Sequence, residues 1–325
     1  MLFDVLIVGG GPAGLAAAIA AKRRGLRYLV LEQGALVNSL WHFPPDMVFF
    51  TTPELLEIGG VPFVSPYDKP TRQEALRYYR RVADVFALEI ALDETVVGLV
   101  RRTGGDLVVT AERPHARAVE RVARTVVLAT GAYAQPNLLG IPGEDLPHVA
   151  HYFRGPHEHY RRRVVVVGGK NSAAEAALEL YRSGATVRLV HRGTELGASI
   201  KYWVKPDIEN RIKEGSIAAH FSTSVAEITP DTVVLDGPGG RWTERADAVL
   251  LLTGYRSDLA LLHMVGAAIA DGAPVHDPQT FETTVPNVFL AGAVVAGRES
   301  GRIFIENGRF HGEVVIEEIA RRLAG

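Results

Sequence analysis

The feature that most constrains this chain is a change of period at residue 9. Asp4-Val-Leu-Ile-Val8 is a short apolar run suited to a buried parallel strand, and Pro12 to Arg24 is alanine-rich and helix-forming. Between them lies Gly9-Gly10-Gly11-Pro12-Ala13-Gly14. Gly25 ends the helix and Tyr28-Leu-Val-Leu31 supplies a second strand, so the N-terminal residues form a βαβ unit. The same order returns as a strand at Arg163-Val-Val-Val-Val167, a helix from Ser172 to Ser183 closed by Gly184, and a strand at Thr186-Val-Arg-Leu-Val190. Units so widely separated are no solenoid repeat; they specify two nucleotide-binding folds.

The first turn satisfies G-x-G-x-x-G, where the glycines allow a tight turn, close backbone approach to a pyrophosphate and close helix-to-strand packing. The helix N-terminus then holds the anion, and Glu32, at the end of the second strand, can accept hydrogen bonds from a ribose hydroxyl. The second turn, Gly168-Gly169-Lys170-Asn171-Ser172-Ala173, has Lys170 where the second glycine belongs and a permitted small residue at the third position. His191 and Arg192 end its second strand, and an arginine there suits a 2′-phosphate that a carboxylate would repel. The expected nucleotide is therefore NADPH; the blander reading makes Lys170 and Arg192 solvated loop charges.

Residues 86–130 alternate short β-like segments with polar turns such as Thr103-Gly-Gly-Asp106, and finish in the buried run Thr125-Val-Val-Leu-Ala-Thr-Gly131. Pro136, Pro142-Gly143 and Pro147 mark residues 135–160 as a linker. Asp247-Ala-Val-Leu-Leu-Leu-Thr-Gly254 ends the second unit as the first one ends, and Asn287-Val-Phe-Leu-Ala-Gly292 is a further strand before a C-terminal helix. The expected architecture is α/β with two Rossmann-like dinucleotide-binding domains, the second inserted into the first. Residues 1–155 and 256–325 would bind FAD and residues 156–255 NADPH.

The chain contains no cysteine, which excludes a disulfide, a thiolate metal site, a CxxC pair and a cysteine nucleophile. Its redox work must use cofactors, with a bound flavin on one fold and a diffusible nicotinamide on the other. With 35 basic and 37 acidic side chains it presents no field for nucleic acid. The apolar stretch from Val5 to Ala21 is broken by glycines, preceded by Asp4 and followed by Lys22-Arg23-Arg24, the wrong polarity for a secretory signal. A cytoplasmic protein with no membrane partner is expected. His148, His151, His157 and His159 lack acidic or thiol co-ligands, so no metal is assigned. There is no G-x-S-x-G elbow, and Asn171 follows Lys170 where a P-loop needs Ser or Thr.

Taken with Ala129-Thr130-Gly131, Thr253-Gly254-Tyr255 and Val288-Phe-Leu-Ala-Gly292, the two turns resemble the thioredoxin-reductase-like flavoproteins across the whole chain. Within that group, Val37-Asn38-Ser39, the Gly168–Ser172 loop, Ser199-Ile-Lys201 and Ile303-Phe-Ile-Glu-Asn-Gly-Arg-Phe-His-Gly312 resemble the bacillithiol-disulfide reductase family. The resemblance implies FAD contacts at Gly9, Gly11, Pro12, Ala13, Gly14, Glu32 and Gln33, with Val96 near the adenine and Thr130-Gly131 beside the dinucleotide. It implies a flavin ring near Asn38, Trp41, Thr52, Gly292, Phe304 and Ile305, although Trp41 and Phe304 also read as plain packing aromatics. NADPH would meet Gly169, Lys170, Asn171, Ser172, His191, Arg192 and Gly254. The implied activity is reduction of a low-molecular-weight thiol disulfide, by a homodimer or larger homo-oligomer.

Three departures qualify the resemblance. Ala293 stands where the broader group has an aspartate, no CxxC exists, and Ala13 stands where many members carry a cysteine. Disulfide reduction ordinarily passes through a mixed disulfide with a protein thiolate, and this chain cannot form one. The competing readings are a ferredoxin or flavodoxin-NADP reductase, which needs no protein thiol, and a non-catalytic sensor binding both nucleotides. His42 and His311 are the nearest candidates for an acid, but a structural role is the first reading of each, and no catalytic residue is assigned.

Overall fold

The computed structural model describes residues 1–299 and 301–324. The chain divides into two compact units: one of residues 1–42, 47–135 and 255–325, the other of residues 43–46 and 136–254.

The first unit begins with β1 (Leu2–Val8), α1 (Pro12–Arg23) and β2 (Tyr28–Leu31), followed by the short α2 (Asn38–Trp41), a 3-10 turn at Pro53–Leu56 and α3 (Arg72–Val85). Then come β3 (Ile90–Ala91), β4 (Thr95–Arg101), β5 (Leu107–Glu112) and β6 (Val119–Leu128). The sheet order is β3-β2-β1-β6-β5-β4, parallel from β3 to β6 and antiparallel beyond. Val5 and Ile7 pack on α1, while Leu6 and Val8 face the opposite core with Leu99 and Leu107. A strand buried on both faces has no room for polar alternation, hence the unbroken apolar run.

After the two-residue β7 (Gln135–Pro136), the second unit contains β8 (Val149–Ala150), β9 (Arg163–Val167), α4 (Asn171–Arg182), β10 (Thr186–Val190), α5 (Lys205–Lys213) and β11 (Ala218–His220). An antiparallel meander follows in β12 (Ser224–Ile228), β13 (Thr232–Gly237) and β14 (Gly240–Arg245), before β15 (Ala248–Leu251). Its main sheet is parallel, in the order β11-β10-β9-β15-β8. Because Val149 and Ala150 pair with Val249 and Leu250, the division falls at residues 135/136 and not at the expected 155/156. The proline-rich stretch is an edge strand with its loops, not a linker.

The chain returns to the first unit through β16 (Tyr255–Arg256), α6 (Ala260–Val265), β17 (Ile269–Ala270), β18 (Ala273–Pro274) and β19 (Val288–Leu290), which pairs parallel with the end of β6. The expected single C-terminal helix is two, α7 (Ile305–Gly308) and α8 (His311–Ala324). A Cβ on Gly312 would meet the Ala17 backbone nitrogen at 2.5 Å, so glycine lets α8 cross α1 closely. Among the described residues no helix is long and apolar enough to cross a membrane, and no His, Cys, Asp or Glu cluster could hold a metal ion.

Candidate functional site

The first turn is built by steric exclusion. Gly9 has φ 108°, and a side chain there would collide with the Ala129 carbonyl; a Cβ on Gly14 would collide with the carbonyl of Gly9. Gly11 lies on the open side, with no atom within 4 Å of a Cβ position, so a ligand can reach the backbone there. Pro12 opens α1, where the absence of an N–H costs no hydrogen bond.

Glu32 is 5% exposed and accepts N–H groups from Gly10 at 2.8 Å and Gly34 at 3.3 Å. Burial raises its carboxyl above the ordinary range, opposed by backbone hydrogen bonds from Gly10, Gly34 and Gln33. A carboxylate has about four lone-pair sites, so these backbone donors leave room for a ribose hydroxyl. Its backbone carbonyl accepts the Glu94 N–H at 2.9 Å, which brings the start of β4 and half-buried Val96 toward this end of the sheet. Gln33 is exposed.

The loop after β2 turns on Val37, a buried β-branched residue held at φ 52°, ψ 47°, whose N–H donates to the Gly10 carbonyl at 3.2 Å. A left-handed valine costs on the order of 1–3 kcal/mol and persists only where its surroundings enforce it. Its effect is to place α2, with the Asn38 amide over Gly34 and Ser39 Oγ nearest to Gly131. Trp41 is 53% exposed, and the Arg72 guanidinium lies 5.0 Å from its ring centroid. Arg72 is itself buried, donating from Nε to the Leu40 carbonyl at 3.1 Å and from Nη2 to that of Trp41 at 2.9 Å.

The C-terminal segment closes on the same turn. Gly292 has φ 74°, and a Cβ there would come within 2.7 Å of the Ala13 Cβ. Its N–H donates to His311 Nδ1 at 3.3 Å, while burial and nearby His276 lower the His311 pKa. His311 is a neutral ring holding backbone, and the exposed His42 donates from Nδ1 to the Asn38 carbonyl at 2.8 Å. Both therefore have positioning duties. α7 packs on the Pro53–Leu56 turn, for which Thr52 is the N-cap, and Arg309 donates to the Glu54 carbonyl at 2.9 Å. Phe304 is 57% exposed beside Ile305 at the start of α7.

The second turn repeats the frame with different chemistry. Gly168 has φ 150°, and its missing Cβ would collide with the Leu252 carbonyl and crowd the Cβ of Ala173. Lys170 is the extended, exposed N-cap of α4, and Ser172 is exposed in the first turn of that helix. The His191 imidazole packs against Gly169 and Gly193, leaving no space for a side chain at either, and Arg192 is exposed beside it. Burial, then the Arg192 charge, lowers the His191 pKa, so its ring is neutral near pH 7. Gly254, at φ 91°, accepts the Asn137 N–H at 3.0 Å through its carbonyl.

Sequence reasoning missed Arg72 and two close backbone approaches: a Cβ on Gly308 would lie 3.2 Å from the Gly292 Cα, and one on Gly197 3.0 Å from the Gly169 carbonyl oxygen. A capping box at Thr71 and Glu74 marks the start of α3, and that T-x-x-E pattern is visible in the sequence; the burial of Arg72 is not.

Comparison with known proteins gives a consistent result. The profile of the pyridine nucleotide-disulphide oxidoreductases matches residues 6–292. Bacilliredoxin reductase Bdr of Bacillus subtilis (strain 168) is 41% identical over 320 residues, 98% of this chain and 97% of that one. The structure of bacillithiol disulfide reductase Bdr from Bacillus cereus superposes with a TM-score of 0.96 at 40% identity, covering 99% of this chain and 100% of that one. Thioredoxin reductase from T. acidophilum shares the fold at a TM-score of 0.77 and 20% identity, covering 100% of this chain and 99% of that one.

Proposed function

The chain belongs to the pyridine nucleotide-disulphide oxidoreductases and, within them, to the bacillithiol disulfide reductase family; from that premise we propose an NADPH-dependent, FAD-carrying disulfide reductase. Its acceptor is a low-molecular-weight thiol disulfide, bacillithiol disulfide first. NADPH and a proton reduce one disulfide to two thiols and leave NADP⁺. Gly11, Glu32 and the N-terminus of α1 would hold a flavin dinucleotide, which when bound would supply two-electron chemistry between nicotinamide and acceptor.

The observation that carries the reading is the contrast at the two strand ends. Glu32, with acceptor sites left over from Gly10 and Gly34, suits the hydroxyls of an unphosphorylated ribose. Exposed Arg192 beside a neutral His191 suits the dianionic 2′-phosphate of NADPH. The open backbone at Gly11 and the N-termini of α1 and α4 would hold the pyrophosphates. Asn38, Ser39 and the Gly292 backbone would orient the flavin ring, while Arg72 keeps Trp41 and the end of α2 in place.

With no thiol in the chain, the acceptor disulfide must be reduced without a covalent link to the protein. The same absence favours a second reading, reduction of ferredoxin or flavodoxin. Anaerobic titration of the purified yellow protein separates the alternatives: bleaching by one equivalent of NADPH and not by NADH is expected. Thiol release on adding bacillithiol disulfide supports the first acceptor. Reduction of ferredoxin or flavodoxin with no thiol release overturns it, bleaching by NADH alone overturns the NADPH assignment, and failure of both nicotinamides to bleach the flavin leaves only a sensor.

A further inference from the structure

Asn171 stands in the second glycine-rich turn, where a cofactor-contacting side chain is the obvious reading, yet its amide is turned to the protein. Oδ1 accepts the Lys201 N–H at 2.8 Å, and Nδ2 donates to the Ser199 carbonyl at 3.0 Å. Two further links join the same segments. The Gly197 N–H donates to the Gly169 carbonyl at 2.8 Å, and Lys201, 7% exposed, is ion-paired with Glu175 one turn along α4. Gly197 sits so close to the turn that a Cβ would lie 3.0 Å from the Gly169 oxygen and 3.4 Å from Lys170 Cγ. Ile200 is buried in the core beneath α4, so only Ala198 and Ser199 are exposed between these anchors.

We infer that Asn171 is a positioning residue: its amide fixes residues 197–201 as a strap across the second glycine-rich turn and shapes the nucleotide site without itself touching nucleotide. The inference deepens the reading of this turn as the NADPH site and rests on it. A primary amide offers two lone pairs and two N–H groups, and here one of each is committed to the strap. A strap clamped before the ligand arrives need not be ordered during binding, so its loosening appears as weaker binding with unchanged chemistry. The Glu175–Lys201 pair clamps the same strap from the buried side and has the same effect.

The test uses the FAD-loaded, full-length protein and the variants Asn171→Ala and Lys201→Met. Hydrogen exchange without pyridine nucleotide is expected to speed up at least tenfold at the Lys201 amide in Asn171→Ala, with β9 and β10 unchanged. Both variants raise KM for NADPH about tenfold and leave kcat within twofold. Asn171→Asp, which keeps the acceptor for the Lys201 N–H, retains protection at Lys201 and serves as the check if Asn171→Ala fails to fold. A raised KM with unchanged exchange at residues 199–201 makes Asn171 a direct ligand and overturns the inference. Faster exchange with unchanged KM overturns it too, because the strap then plays no part in binding. Wild-type protein that binds no NADPH overturns the functional reading, whereas the exchange result still reports on the clamp alone.

Discussion

The two glycine-rich turns share one backbone frame and differ in what each closes over. In the first, a Cβ at the third position would strike the Gly9 carbonyl, so glycine is obligatory at residue 14; in the second, Ala173 occupies that position, and a Cβ on Gly168 would lie 2.9 Å from its Cβ. The residue at the end of the second strand differs more. The Glu32 carboxylate accepts the Gly10 N–H, whereas the His191 ring packs against Gly169 and leaves the charge to Arg192 and Lys170. The helices diverge as well: α1 is apolar from Leu15 to Ala21, while α4 carries Glu175 and Glu179. In the proposed function the frame would set where a dinucleotide lies, and the strand-end side chains would set which one.

The largest effect expected from breaking this comparison is at the third position. Gly14→Ala forces backbone apart and costs about 3 kcal/mol, with FAD lost on purification. Ala173→Gly costs about 1 kcal/mol, the usual helix penalty of glycine. Thermal melting of both decides whether the asymmetry is real; equal destabilisation would refute it.

Next come the strand ends. Glu32→Gln removes a charged acceptor worth roughly 1.5–3 kcal/mol and should weaken FAD binding about 10–100-fold, read by titrating the apoprotein with FAD. Arg192→Ala should lower the preference for NADPH over NADH about tenfold or more, measured as the ratio of kcat/KM values. If that preference survives intact, the 2′-phosphate is held elsewhere.

The smallest effect concerns α4. Burial first, then the charges of Asp46 and Glu175, push the Glu179 carboxyl from 4.5 up to about 7. The folded protein therefore holds a proton there that the unfolded chain releases between those values, so this group lowers stability as pH rises through the window. The site is partly open to solvent, which reduces the effect to about 1 kcal/mol. Glu179→Gln should match wild type at pH 4 and be more stable at pH 8, by about 2 °C in Tm; a constant difference across that range would mean the carboxyl titrates normally.

Much of the fold was legible because its signals are local. Three strands of the two βαβ units, Tyr28–Leu31, Arg163–Val167 and Thr186–Val190, fall where their apolar runs do. The unit boundary was not legible, since Val149 and Ala150 become a strand only by pairing with residues a hundred positions away. Nor was the break between α7 and α8, whose surrounding segment reads as one helical stretch. Of the candidate site, the glycines and Glu32 could be placed from sequence because turn sterics and strand ends are short-range. The duties of Arg72, His311 and Asn171 could not, because each bonds residues far along the chain.

The sequence by itself determined two dinucleotide-type βαβ units, carboxylate-ended in one case and histidine–arginine-ended in the other. It also determined that the chain itself contributes no thiol. Those facts follow from residue type and near-neighbour geometry. Only the tertiary structure decided that Asn171 faces a strap, that His311 holds the Gly292 backbone and that a buried arginine caps α2. Hydrogen-bond partners are chosen by proximity in space, and a side chain's chemistry says what it can bond without saying which atoms folding will bring to it.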